Sequence, residues 1–206
     1  DRLRGANVIT LLGSLHPVDD AWLEAGRDAF AALSALPRPR TALLLGGASA
    51  HSRLDAKALA AVVHAVAEQA AQDGGSVLAT ASRRTPPAAR ESLPGCLAGV
   101  PHVAWRDGRD GPNPYAGVLG WADRIVCTAD SVNMLSEAAA TRAPVAVAGI
   151  DALDGRPRAF VDALLASGRV QRFDSHSPLA TGDAAPLRES ERVARLVRER
   201  LPFAGA

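Results

Sequence analysis

"DRIVCTADSVNMLSEAAATRAPVAVAG", residues 123–149, is the stretch on which the reading of the fold turns. "DRIVCTA" and "PVAVAG" are short apolar runs bounded by turn residues, as buried strands are. Between them Leu135, Ala138, Ala139 and Ala140 describe a short helix packed closely on most sides, with Ser131 near its start. Strand, helix and strand in immediate succession predict a βαβ unit, whose two strands run parallel. The helix nevertheless carries an acid, Glu137, where a packing helix would prefer an apolar residue.

The same alternation extends in both directions. "NVITLLG" (7–13), "TALLLGG" (41–47), "SVLATAS" (76–82), a weaker "HVAW" (102–105) and an edge strand around "VQRF" (170–173) read as strands. Helix faces appear at Trp22, Leu23, Phe30, Leu33 and Leu36, entered through Asp19, and at Leu59, Val62, Val63 and Val66, where Ser52 and Asp55 predict a capping box. The prolines of "RRTPPAARESL" suit a loop and the first turn of a helix, and "PYAGVLGWA" is a short helix. Phe160, Val161, Leu164 and Leu165 mark a helix ending at Gly168, and Val193, Leu196, Val197 and Leu201 mark the last. Continuous apolar strands alternating with amphipathic helices predict an α/β fold: a Rossmann-like, doubly wound parallel sheet in three α/β/α layers.

Composition narrows the function classes. Apolar residues make up 48% of the 206 and charged ones 22%, an ordinary globular balance. A net charge of +1 gives no electrostatic case for nucleic acid. Of 23 basic residues only Lys57 is a lysine, a bias that reads as a GC-rich genome and cautions against giving every arginine a role. Cys96 and Cys127 lie far apart, so neither a disulfide framework nor a metal site is signalled, and a reducing, cytoplasmic compartment is expected. No apolar run reaches the roughly 18 residues of a membrane span. His16, His51, His64, His102 and His176 show no ligand spacing, so no metal is expected.

In parallel sheets of this kind ligands bind beyond the carboxyl ends of the strands, and three loops there are chemically distinctive. In "LLLGGASAHSRLD", Gly46, Gly47 and Ser49 read either as a phosphate site, where backbone N–H groups approach an anion, or as no more than a tight turn. In "TASRRTP", Ser82, Arg83, Arg84 and Thr85 offer two guanidinium groups and two hydroxyls suited to an oxyanion. One arginine of the pair is expected to serve, and a solvated loop is the other reading. In the opening stretch, Glu137 is placed to accept hydrogen bonds from a ribose diol, or else is a surface glutamate. Asn113, Pro114 and Tyr115 order the Asp/Gly-rich loop or contact a base or sugar, and spacing does not decide between these.

"DRLRGANVITLLGSLHPV", "LLLGGAS", "TASRRTP" and "NPYAGVLGWADRIVCTADSVNMLSEAAATRAPVAV" together resemble the mitochondrial-fission "elongated mitochondria" family, which includes many bacterial members. Pro112 and Arg142-Ala143 depart from the family's usual Glu and Gly-Lys. That family is itself similar to two-domain GT-B glycosyltransferases and nucleotide-sugar epimerases. The resemblance therefore implies one half of a GT-B fold: residues 1–18 as the crossover from a missing N-terminal domain, and 19–206 as a nucleotide-sugar-binding domain. It implies that Glu137 receives the ribose of a nucleotide diphosphate-sugar donor, with Ser131 and Met134 lining the pocket. Gly46, Gly47, Ser49 and one arginine would hold the diphosphate, with no cofactor or metal. The catalytic base would come from the other half; the acceptor is left unnamed, a membrane-associated glycan or lipid being one option, and the protein is expected in the cytoplasm or peripherally at the inner membrane. Rival implications are a protein-binding scaffold with a vestigial pocket, as plant relatives suggest, and a nucleotide-sugar epimerase.

Overall fold

The computed structural model describes residues 5 and 7–201, so the first residues of the expected crossover segment 1–18 lie outside the described ones. Its centre is a six-stranded, all-parallel sheet in the order β3-β2-β1-β4-β5-β6. The strands are β1 (Arg40–Leu45), β2 (Ser76–Ala81), β3 (His102–Trp105), β4 (Arg124–Thr128), β5 (Val145–Ala148) and β6 (Val170–Arg172). The helices are α1 (Asp20–Ala29), α2 (Ala56–Gln72), α3 (Pro87–Cys96), α4 (Tyr115–Trp121), α5 (Val132–Ala139), α6 (Gly155–Ala166) and α7 (Glu189–Arg200). The strand order reverses direction between β1 and β4, which makes the gap between their carboxyl ends the crevice where such folds place ligands. The doubly wound α/β fold expected from the alternation is the one observed.

Every residue of β1, β2, β4 and β5 is buried, so alternate side chains feed two different cores. Ala42, Leu44, Ile125, Cys127, Val145 and Val147 point to the layer that also holds Leu23, Val118, Leu135, Val161 and Leu164. Leu43, Leu45, Val77, Ala79, Val126 and Ala146 point to the opposite layer, against Leu59, Val63 and Val66 of α2 and Leu93 of α3. The half-buried β3 and the short β6 close the edges.

Three local expectations need correction. Residues 7–13 form no strand; they run, half-exposed, outside the sheet. Their polar backbone is satisfied by α7 instead: Leu12 N–H donates to Glu189 at 2.8 Å, and Thr10 C=O accepts from Arg192 at 2.6 Å. An apolar run signals burial of its side chains without naming the partner, and here Leu12 packs on the first core from outside. The helical pattern after Asp19 is also interrupted. Asp19 caps α1 through Trp22 N–H, but a 3-10 turn at Ala31–Ala35 carries Leu33 to the core. Finally, Asp55 alone caps α2, accepting from Ala58 N–H, while Ser52 bridges to Ser49 and Leu153.

Candidate functional site

At the carboxyl ends of β2 and β3 lies a cavity of about 480 Å³, lined by residues 80–83 and 105–108 together with Arg90, Asn113, Tyr115, Met134 and Glu137. Its size falls within the roughly 300–1,000 Å³ typical of small-molecule sites. A larger groove of about 770 Å³ opens at the other end of the sheet, beside Pro39, Asp123 and Ala143. Those residues sit at the amino ends of the strands, and the arginines there face acids, Arg38 on Asp123 and Arg142 on Asp20. We therefore take the cavity at the carboxyl ends as the candidate site.

Glu137 reaches it from α5. Ser131 starts that helix, its hydroxyl accepting from Met134 N–H at 3.4 Å. The far end is clamped by Arg169, whose guanidinium donates to the carbonyls of Ala138, Ala139, Thr141 and Ala143. With both ends of the helix tied down, Glu137 projects at a set depth and accepts a 2.6 Å hydrogen bond from the Tyr115 hydroxyl. Burial holds the Glu137 carboxyl above its ordinary value, against the opposing pull of the Tyr115 bond. Burial, and then the Glu137 charge, push the Tyr115 phenol well up, so it remains a donor.

The charge balance of the cavity follows from its ion pairs. Asp107 is held by Arg109, which keeps its carboxyl low, and Arg106 is held by Asp110. Among the described residues, the side chains of Arg83 and Arg90 form neither a hydrogen bond nor a salt bridge, although the Arg90 charge adds to the field on Asp107. The cavity thus presents two guanidinium groups with open donors beside an engaged carboxylate and the Trp105 ring, whose indole N–H is fixed on Gly111 C=O at 3.1 Å.

The expected site residues divide into two groups. Ser82, Arg83, Asn113, Met134 and Glu137 line the cavity, whereas Gly46, Gly47, Ser49, Arg84, Thr85 and Ser131 do not. Most of the second group surrounds Asp130, whose side chain is fully shielded from solvent. Its carboxylate accepts from Gly47 N–H at 3.0 Å, from the Thr128 hydroxyl at 2.7 Å and from Arg84 at 3.0 Å. The paired glycines admit this arrangement: a Cβ on Gly46 would collide with the Asp130 carboxylate, and one on Gly47 would collide with Arg84 C=O. The Thr85 hydroxyl lies on the carbonyls of Leu45 and Gly46, and Ser49 is exposed. His51 pairs with Asp154 at the surface.

Sequence reasoning misses Asp130, Arg90 and Trp105. Trp105 is legible only as the last residue of a strand, and Arg90 only as one arginine among many on the polar side of a helix. Neither signal singles out a cavity. Asp130 follows a buried strand closely, which is a signal for a residue at the crevice. Among the described residues, no group of three or more His, Cys, Asp or Glu is placed to hold a metal ion, and no helix is long and apolar enough to cross a membrane.

A family model described as "Mitochondrial fission ELM1" matches residues 1–201. A curated protein, "Mitochondrial fission protein ELM1" of Arabidopsis thaliana, is 31% identical over 204 residues, covering 97% of this chain and 47% of its own length. The chain therefore spans about half the length of the curated relative it matches.

Proposed function

The chain belongs to the mitochondrial fission ELM1 family, and from that premise we propose that it is a nucleotide-binding domain of glycosyltransferase type, taking a nucleotide-activated sugar at the carboxyl ends of β2 and β3. The observation that carries this reading is the meeting of Glu137 with the open donors of Arg83 and Arg90 on one cavity. Glu137 accepts the ribose hydroxyls, the two arginines take phosphate, and the Trp105 ring offers a face to the base. No residue of the cavity is assigned as catalytic base, since Glu137 and Asp107 are already engaged. The acceptor, a membrane-associated glycan or lipid, belongs to the whole protein and is part of the proposal.

The test is thermal unfolding of the chain against nucleoside mono- and diphosphates and their sugar conjugates. A ligand at 100 times its dissociation constant adds about 2.7 kcal/mol of stability. A shift with one base, abolished in Glu137→Gln, supports the reading; no shift with any nucleotide sinks it.

A protein-binding scaffold is the second reading, and one observation favours it: Asp130 already holds the Gly47 N–H that a phosphate would use. Against it, Leu15 and Leu201 are the large hydrophobic side chains left exposed among the described residues, which gives no apolar docking face. The scaffold predicts an unfolding curve that no nucleotide moves.

A further inference from the structure

Glycine loops after β1 in doubly wound folds ordinarily offer their N–H groups to phosphate. Here that position holds an internal anion. The Asp130 carboxylate lies on Gly47 N–H at 3.0 Å and on the Thr128 hydroxyl at 2.7 Å, and it draws the Arg84 guanidinium to 3.0 Å. With its side chain entirely shielded from water and three donors around it, the carboxylate has no solvated position to retreat to. A phosphate reaching the crevice between β1 and β4 would meet this charge at close range, and Arg84 is already committed to it.

Among the arginines that line the cavity, Arg83 and Arg90 have open donors, and both lie on its wall rather than at the glycine loop. Two guanidinium groups match one phosphate, which accepts from each through two oxygens. A second phosphate directed at the glycine loop would meet the Asp130 carboxylate, and the Arg84 guanidinium beside that carboxylate is already paired.

We propose that Asp130 is a specificity-determining residue that restricts the site to nucleotides joined through a single phosphate, so that the donor is the sugar ester of a nucleoside monophosphate rather than a diphosphate-sugar. This rests on the nucleotide-binding reading above and replaces the diphosphate at Gly46, Gly47 and Ser49 that the family resemblance implies.

The deciding experiment is calorimetric titration of the full chain with the mono- and diphosphates of adenosine, guanosine, uridine, cytidine and thymidine at fixed salt, repeated with Asp130→Asn. For the base that binds, the monophosphate is expected to bind at least as tightly as the diphosphate. Asparagine keeps an acceptor for Gly47 N–H without the charge, and should raise diphosphate affinity about tenfold relative to monophosphate, a change of about 1.4 kcal/mol. A wild-type chain that prefers the diphosphate tenfold overturns the proposal while leaving the nucleotide site standing, and so does a ratio unchanged in Asp130→Asn. The wild-type ratio decides alone if the variant does not fold. Absence of binding by every nucleotide removes both readings together.

Discussion

The Tyr115 hydroxyl donates to Glu137 Oε2 at 2.6 Å, joining the first residue of α4 to the last turn of α5 across the cavity. The bond orients a carboxylate that burial disfavours, so the site holds a charge at some cost to stability.

That cost has a definite pH dependence. Burial raises the Glu137 pKa above its ordinary 4.5, so the folded state holds the proton more tightly than the unfolded chain does. The stability associated with this group is full below 4.5 and is lost as pH rises through the folded value. Glu137→Gln, in which Tyr115 can still donate to the amide oxygen, should melt above wild type at about pH 7–8, with the gap closing by about pH 4. Melting curves across that range check this, and a gap that does not change with pH contradicts it.

Arg83 and Arg90 should act on phosphate and not on the nucleoside. Each charge-assisted hydrogen bond is worth about 1.5–3 kcal/mol, so Arg83→Met combined with Arg90→Met should weaken nucleotide binding at least about tenfold, while nucleoside binding stays within about twofold. Titrations with a nucleoside and its monophosphate, side by side, separate this from general damage to the fold.

Among the described residues Arg169 has no acid partner; it lies buried among carbonyls, and burial brings its pKa down to about 10. Its planar fork satisfies the end of α5, where the helix dipole also favours a cation. Replacing it strands several buried acceptors, so Arg169→Met should cost about 2–4 kcal/mol, and Arg169→Lys, with one compact ammonium, should recover only part. Urea unfolding of the three proteins gives the order.

Gly26 marks a close approach of α1 and α4: a Cβ there would lie 2.6 Å from Ala116 C=O. Alanine gains about 1 kcal/mol of helix propensity over glycine, but a clash with backbone typically costs about 1–3 kcal/mol. Gly26→Ala should therefore lower the melting temperature. Gly95→Ala in α3, where a Cβ meets nothing within 4 Å, should raise it. If Gly26→Ala raises it as well, the crossing is looser than described.

The parts of this fold that can be read from sequence are those whose partners lie close along the chain. The unit β4-α5-β5 is one: each strand is buried on both faces, and the helix start is set by Ser131 itself. Residues 7–13 read as a strand because apolar composition cannot distinguish a sheet position from a groove beside α7. Glu137 stands out as a single acid among alanines. Asp130 does not, because its meaning depends on Gly47, 83 residues away, and nothing local distinguishes a carboxylate that fills a glycine loop from one that flanks a helix.

The tie between residues 8–16 and α7 has a consequence for the order in which the molecule opens. Val8 C=O accepts from Arg200, Thr10 C=O from Arg192, and Leu12 and His16 N–H donate to Glu189 and Ser190. Glu189 is the buried residue of α7, so the two halves of this belt are joined to each other by polar bonds, while Leu12 and Leu187 pack it on the first core. Such a unit exchanges its amide protons through local opening, at a free energy well below that of global unfolding. The amide protons of the belt should therefore exchange ahead of those of the sheet, with the cavity at its carboxyl ends still closed.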